Sequence, residues 1–576
     1  MRDLIQSQAV RPIMTIERVC LLVLGASLGF AQPDTLPARY YRLLAEGVAR
    51  VDERLKAEPE ATIASLESQP GWEHFPSAIL AAAVLYTKAH SANSHRGEAK
   101  MLQLALKIGD LVEREQQAAT QETRLDHRDI YMWLEAYRLL DRELGDERRE
   151  RWRRALLANI TELAADVAKR EDYPLYQTPF IGTSPNHYSL WSSTVYLAGR
   201  VFGNKGWEKL GAKVMHRFAA EQQSPDGYWG EHSSAGPTTG YDYLTLTAVA
   251  EYWEHSHDRS ALEALHRSTD FHEYFTYLDG TPVETVNDRN RYWDVSMWGH
   301  FAFSNFPDGR RYAQFLTERW DRFSLEALGR IGQNALYFHE GSQAKIPQDR
   351  EHSARQMSVP AGIRKTGPWV ICLSGIIATQ APGNQFYLDR QSNLSVFHQK
   401  CGLVITGANS KRQAELATIV EEAGGQICHM PMSSRLEMTD REDRLSLAYN
   451  TFFLVLGVPP PSDNRASFAF AVTPGSHMAN SRLTLQLVLH AGEILETENG
   501  PSIRLDEKQH ELDVGGWIRH HGWTLKLNGP ARLRWPVRPY DPYSNAPEPD
   551  IEHAVGALTT ELDGKPQLLP FVIDVE

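Results

Sequence analysis

Residues 391–411 read QSNLSVFHQKCGLVITGANSK. Alternating apolar and polar positions, β-branched residues and glycine punctuation are the signature of short antiparallel strands. The same texture continues through RLSLAYNTFFLVLGV (444–458), SRLTLQLVLHAGEILETE (481–498) and GWTLKLNGPARLRWPV (522–537). No helical pattern interleaves these runs, so the sheet is expected to be antiparallel and to form a sandwich. PPPSDNR (459–465) and DPYSNAPEPD (541–550) read as exposed loops within it.

Upstream the period changes. AILAAAVLYTKAH (78–90), EAKMLQLALKIGDLVERE (98–115), DIYMWLEAYRLLDREL (129–144), RERWRRALLANITELAADVAK (149–169) and GWEKLGAKVMHRFAAEQQ (206–223) repeat apolar residues at helical spacing. Helix-breaking residues interrupt the series at 170–186 and 222–237. Many paired helices over about 300 residues suggest an (α/α) toroid, an incomplete barrel with its long loops on one rim. The expected organisation is α+β and multidomain: a signal peptide over 1–31, the toroid over 32–360, and the antiparallel sheet domain over 361–576.

The signal peptide is read from Arg18 and the apolar run VCLLVLGASLGFA (19–31), which ends in Gly29-Phe30-Ala31. That run is shorter than the roughly 20 residues a membrane-spanning helix needs. A secreted or periplasmic protein without stable membrane insertion after cleavage is expected. Cys20 leaves with this segment, and Cys372, Cys401 and Cys428 have no zinc-ligand spacing. A Cys401–Cys428 bridge is the one pairing considered. A formal charge of −13 argues against nucleic-acid binding and obliges local cations to attract an acidic substrate.

Two inter-helix loops are rich in functional groups. In SPNHYSLW (184–191), Asn186, His187 and Tyr188 follow Pro185 and open a helix expected to begin near Ser189, where Asn186 could also act as a cap. DGYWGEHSSAGPTTGYDYL (226–244) offers Trp229, Glu231 and His232, then small residues, then Tyr241, Asp242 and Tyr243. A third cluster, ETVNDRNRYW (284–293), supplies Asn287, Asp288, Arg289, Arg291 and Tyr292. His339 with Glu340, and His352 with Arg355, are weaker candidates.

Asparagine, histidine, tyrosine and arginine together suit β-elimination on a uronic acid. Asn and Arg donors stabilise the enediolate formed when the C5 proton leaves. A tyrosine or neutral histidine takes that proton, and a tyrosine can return one to the leaving oxygen. A glycoside hydrolase would instead need two carboxylates flanking the bond, for which Glu231 with Asp242 or Asp288 are available. A non-catalytic carbohydrate-binding protein is the third possibility. GxSxG, Walker, HExxH and GxGxxG signatures are absent from the sequence.

With these residues in view, the sequence resembles the polysaccharide lyases that join an (α/α) toroid to antiparallel sheets. These are the heparinase II/III-like enzymes, alginate and oligoalginate lyases, and chondroitin AC and hyaluronate lyases. Residues 391–418 resemble the start of the heparinase II/III-like sheet domain, and 226–244 is similar to the chondroitin AC-type segment carrying the catalytic His and Tyr. The resemblance implies that His232 takes the histidine role, Tyr241 the base/acid role and Asn186, beside His187, carboxylate neutralisation. Arg289 would match an arginine near the reducing-side subsite. Tyr188, Trp229, Glu231, Tyr243, Asn287, Arg289, Tyr292 and His339 are the expected substrate-binding residues. Whether His232 or Tyr241 is the base stays open. Neither metal nor cofactor is implied, and the partner is an acidic polysaccharide or oligosaccharide.

Overall fold

The computed structural model describes residues 35–117, 125–172, 184–231, 236–287, 294–377, 391–407, 412–498, 500–541 and 550–576. The expected signal segment lies outside them. The helices are α1 (Leu36–Ala57), α2 (Ile63–Glu67), α3 (Ala78–Thr87), α4 (Ala99–Gln117), α5 (His127–Leu139), α6 (Gly145–Ala168), α7 (Pro185–Val201), α8 (Lys205–Ala220), α9 (Thr239–Ser256), α10 (Arg259–Tyr274), α11 (His300–Phe303), α12 (Pro307–Arg319) and α13 (Leu325–Tyr337). Two compact units result. One holds the described residues up to Ala165 with Val201–Gly203 and Asp321–His339; the other holds Asp166–Arg200, Asn204–Trp320 and Glu340–Glu576.

In the first unit, α1 starts at Thr35, whose hydroxyl accepts from Ala38 N–H, with Pro37 in the first turn. Its buried stripe of Tyr40, Tyr41, Leu44, Val48, Val51 and Leu55 follows helical spacing. Helix α3 is apolar all round, and Ala78–Leu85 are fully buried, as expected of a helix surrounded by others. Helix α13 packs back on α1, where a side chain at Gly47 would meet Leu328 at 2.5 Å.

In the second unit, α7 and α8 approach backbone to backbone. A Cβ at Gly199 would sit 2.3 Å from Glu208 N, and one at Gly211 would sit 2.6 Å from Tyr196 N. Any larger residue at either position forces the pair apart. Ser193 of α7 donates to Glu251 of α9 over 2.6 Å inside the core.

The strands of this unit form two antiparallel sheets, of eleven and nine strands among the described residues. Their inner faces share one core, from Trp369 and Val396 on one sheet to Leu454, Phe470 and Ile573 on the other, which makes a sandwich. Strand Arg465–Pro474 alternates buried and half-buried positions almost throughout. The sheets begin earlier than residue 361: His352–Gln356 is already a strand, pairing antiparallel with Ala361–Thr366. Its residues HSARQ are polar and no position is fully buried, so it carries no apolar alternation to betray it. Cys372, Cys401 and Cys428 are all free, so the Cys401–Cys428 bridge does not form.

The helical loops of this unit rest directly on the sheet. Ser358 donates its N–H to Asp226 over 2.8 Å. Glu284 accepts from Thr406 Oγ1 at 2.9 Å and Gly407 N–H at 3.1 Å, and also from Tyr277 at 3.0 Å. Apolar contacts between Phe271, Phe275 and Val286 and the strand residues Ile363, Val370 and Phe397 fill the rest.

Candidate active site

Pro185 opens α7 and has no N–H to leave unsatisfied, which makes Asn186 the first donor of the helix. That N–H donates to Glu231 Oε1 at 3.2 Å, and the Asn186 carbonyl accepts from Ser189 Oγ at 2.8 Å. The residue is completely buried. Yet both side-chain atoms, Oδ1 and Nδ2, lack any hydrogen-bond partner. An unsatisfied buried amide costs about 1–3 kcal/mol per group, so such an arrangement calls for an explanation.

His187, next on the helix, is half-exposed. Tyr188 is not: it is buried, its hydroxyl donates to Val167 O at 3.1 Å, and burial pushes its pKa up. The sequence placed Tyr188 on the substrate; the structure places it between α7 and the end of α6.

The loop ahead of α9 is held by Asp242. Trp229 N–H donates to Asp242 Oδ1 at 2.6 Å, Ser268 Oγ donates to Oδ2 at 3.3 Å, and His272 Nε2 lies 2.8 Å from Oδ2. The His272 approach is at ion-pair distance but does not have hydrogen-bond direction. Trp229 itself is buried, its indole N–H donating to Phe218 O at 2.8 Å. It offers no face to a sugar, which corrects the expected role. Asp242 likewise has both oxygens engaged, so Glu231 and Asp242 do not assemble the free carboxylate pair of a hydrolase. Asp288 lies outside the described residues.

In the first turn of α9, Tyr241 is half-exposed while Tyr243 is fully buried. The Tyr243 hydroxyl sits 2.7 Å from that of Tyr312, which in turn lies 2.7 Å from Thr276 Oγ1. The Tyr243 ring packs on His272 with centroids 4.0 Å apart, and burial raises its pKa. Tyr243 is therefore a core residue, not a substrate contact. Thr238, immediately before α9, is a residue the sequence reading overlooked. It is fully buried, and its hydroxyl has no partner.

Glu231 is buried and accepts from the Asn186 N–H. His232, Arg289 and Tyr292 lie outside the described residues. Asn287 is buried at the end of a turn in which its N–H donates to Glu284 O at 3.0 Å. His339 follows α13 in the first unit and is half-buried. Arg355 is occupied by Asp270 and by Asp226 O. Glu284, also missed, had only a faint signal: one carboxylate among Pro, Val and Thr in TPVETVN (281–287). Among the described residues no cluster of three His, Cys, Asp or Glu could hold a metal.

No protein-family model matches the sequence, and no curated protein is similar to it. Solved structures are. A chondroitin AC lyase from Streptomyces coelicolor A3, in complex with chondroitin sulphate, aligns over 96% of this chain and 81% of its own, with 12% identity and a TM-score of 0.50. A chondroitinase AC lyase seen in enzyme–oligosaccharide complexes aligns over 94% and 82%, with 9% identity and a TM-score of 0.50. A mutant of the heparan sulfate lyase HepC from Pedobacter heparinus covers 88% of this chain and 76% of its own, with 9% identity and a TM-score of 0.49. The likeness to the first two is one of fold.

Proposed function

We propose that the protein is a polysaccharide lyase that cleaves a uronic-acid-containing polysaccharide by β-elimination. The observation that carries this reading is the buried, unpartnered amide of Asn186, set in a fold like that of chondroitin AC lyase. A preorganised amide is worth most where charge develops. Here that charge is on the uronate carboxylate as the C5 proton leaves. Nδ2–H of Asn186 donates to the carboxylate, with Arg289 and His187 as further cations or donors. His232 or Tyr241 takes the C5 proton, the C4–O bond breaks as C4=C5 forms, and Tyr241 protonates the departing oxygen. The electron pair of the C–H bond thus ends in the new double bond, and the leaving oxygen gains a proton. No cofactor takes part. The substrate is an acidic polysaccharide or oligosaccharide, and the segment 1–31 directs the chain to the periplasm or the exterior.

The test is to incubate the purified protein with chondroitin sulphate, heparan sulfate, hyaluronate and alginate and follow the ultraviolet absorbance of a conjugated C4=C5 uronide. A rise on any polymer is expected from wild type, with kcat lower by roughly 10²–10³ for Asn186→Ala. Because the amide is unpaired in the resting protein, the same variant should unfold no earlier than wild type. New reducing ends without the absorbance would overturn the reading in favour of hydrolysis.

A further inference from the structure

The free amide of Asn186 poses a mechanical question. A side chain that must keep Oδ1 and Nδ2 open for a substrate cannot be anchored through them. Its place has to be set by its backbone. The carbonyl is held by Ser189 of the same helix, but the N–H is held from outside, by Glu231. We propose that Glu231 is a positioning residue: its buried carboxylate fixes the first turn of α7 and so aims the Asn186 amide. This rests on the lyase reading above.

Three features support the assignment. The first N–H groups of a helix have no intrahelical acceptor, and a carboxylate there is favoured by charge assistance and by the helix dipole. Glu231 has only 1% of its surface exposed, so it is a component of the wall and not a rim charge. It is also two residues from Trp229, whose N–H is tied to Asp242 at the start of α9. The chain of contacts from Asn186 through Glu231 and Trp229 to Asp242 ends beside Tyr241. Two groups on different helices, 55 positions apart in the sequence, are thereby kept in register.

The carboxylate has a cost. A negative charge beside the site opposes binding of a uronate and opposes the enediolate. Positioning needs an oxygen acceptor at Oε1, not the charge. Chemistry by Glu231 itself would need the carboxyl group. The two roles separate on substitution.

Glu231→Gln keeps the acceptor and is expected to hold kcat within about threefold of wild type, with KM unchanged or lower, since misplacement is avoided. Glu231→Met fills similar space without an acceptor and is expected to lose kcat by roughly 10²-fold with little change in KM. Hydrogen exchange of the peptide spanning Asn186 and Tyr188 gives a readout that needs no substrate. Protection should match in wild type and E231Q and fall in E231M. Equal loss of turnover in E231Q and E231M would overturn the proposal, as would equal protection in all three proteins. Absorbance from wild type alone tests the lyase reading, so failure of that reading is recorded separately from failure of this one.

Discussion

Trp229 N–H and Asp242 Oδ1 are 2.6 Å apart, and both residues are buried. That bond makes Asp242 the strut on which the loop before α9 stands.

Removing it should therefore show first in stability. Asp242→Ala leaves the Trp229 N–H and the Ser268 hydroxyl without their acceptor, a loss of about 1–3 kcal/mol for each buried donor left unpaired. Asp242→Asn keeps one oxygen and should cost about 1–3 kcal/mol. Thermal unfolding checks both. A D242N protein with unchanged Tm but no turnover would return Asp242 to the reaction.

The two tyrosines of α9 should separate cleanly. For Tyr241→Phe, kcat is expected to fall by roughly 10²-fold or more through loss of the proton carrier. Tyr243→Phe deletes a buried hydroxyl from the Tyr312–Thr276 chain and should destabilise by about 1 kcal/mol with turnover retained. Parallel Tm and kinetic measurements would expose a reversed assignment.

Part of the acid sensitivity should be traceable to His300, alongside His127 and His520, which burial also holds down to about 4. Burial holds its pKa down at about 4, against the partial compensation of the Ser296 carbonyl 2.8 Å from Nε2. A folded-state value below the unfolded value of about 6.5 means the unfolded chain takes up the proton first. The stabilisation is complete above pH 6.5 and is lost as pH falls from there through 4, a change of roughly 3 kcal/mol. His300→Gln retains a donor toward Ser296 and should flatten the acid limb of a stability–pH profile. An unchanged limb would exclude His300 as its source.

Much of the architecture is legible without coordinates. The helical spacing of α4, α5 and α8 and the alternation of Phe452–Val458 reflect local periodicity, because one face of each element meets a core whatever its partner is. The polar strand His352–Gln356 escaped because it sits at a sheet edge with little to bury.

For the candidate site, residue types could be read from the sequence but not their directions. Helical geometry says that Tyr241 and Tyr243 point to different faces, yet only the packing of His272 and Tyr312 decides that Tyr243 is the inner one. Tyr188 and Trp229 carry ring and donor suited to a sugar, and their donors are taken by Val167 and Phe218 carbonyls that no local pattern reveals. The sequence by itself determined helices before sheets and set Asn186 and Tyr241 near helix starts, although α7 begins at Pro185 and not near Ser189. The meeting of Glu231 with the Asn186 N–H, across 45 residues, was decided by tertiary structure alone. The physical reason is that periodicity is a property of neighbours in the chain, whereas a hydrogen bond between two loops depends on every helix and strand that brings them together.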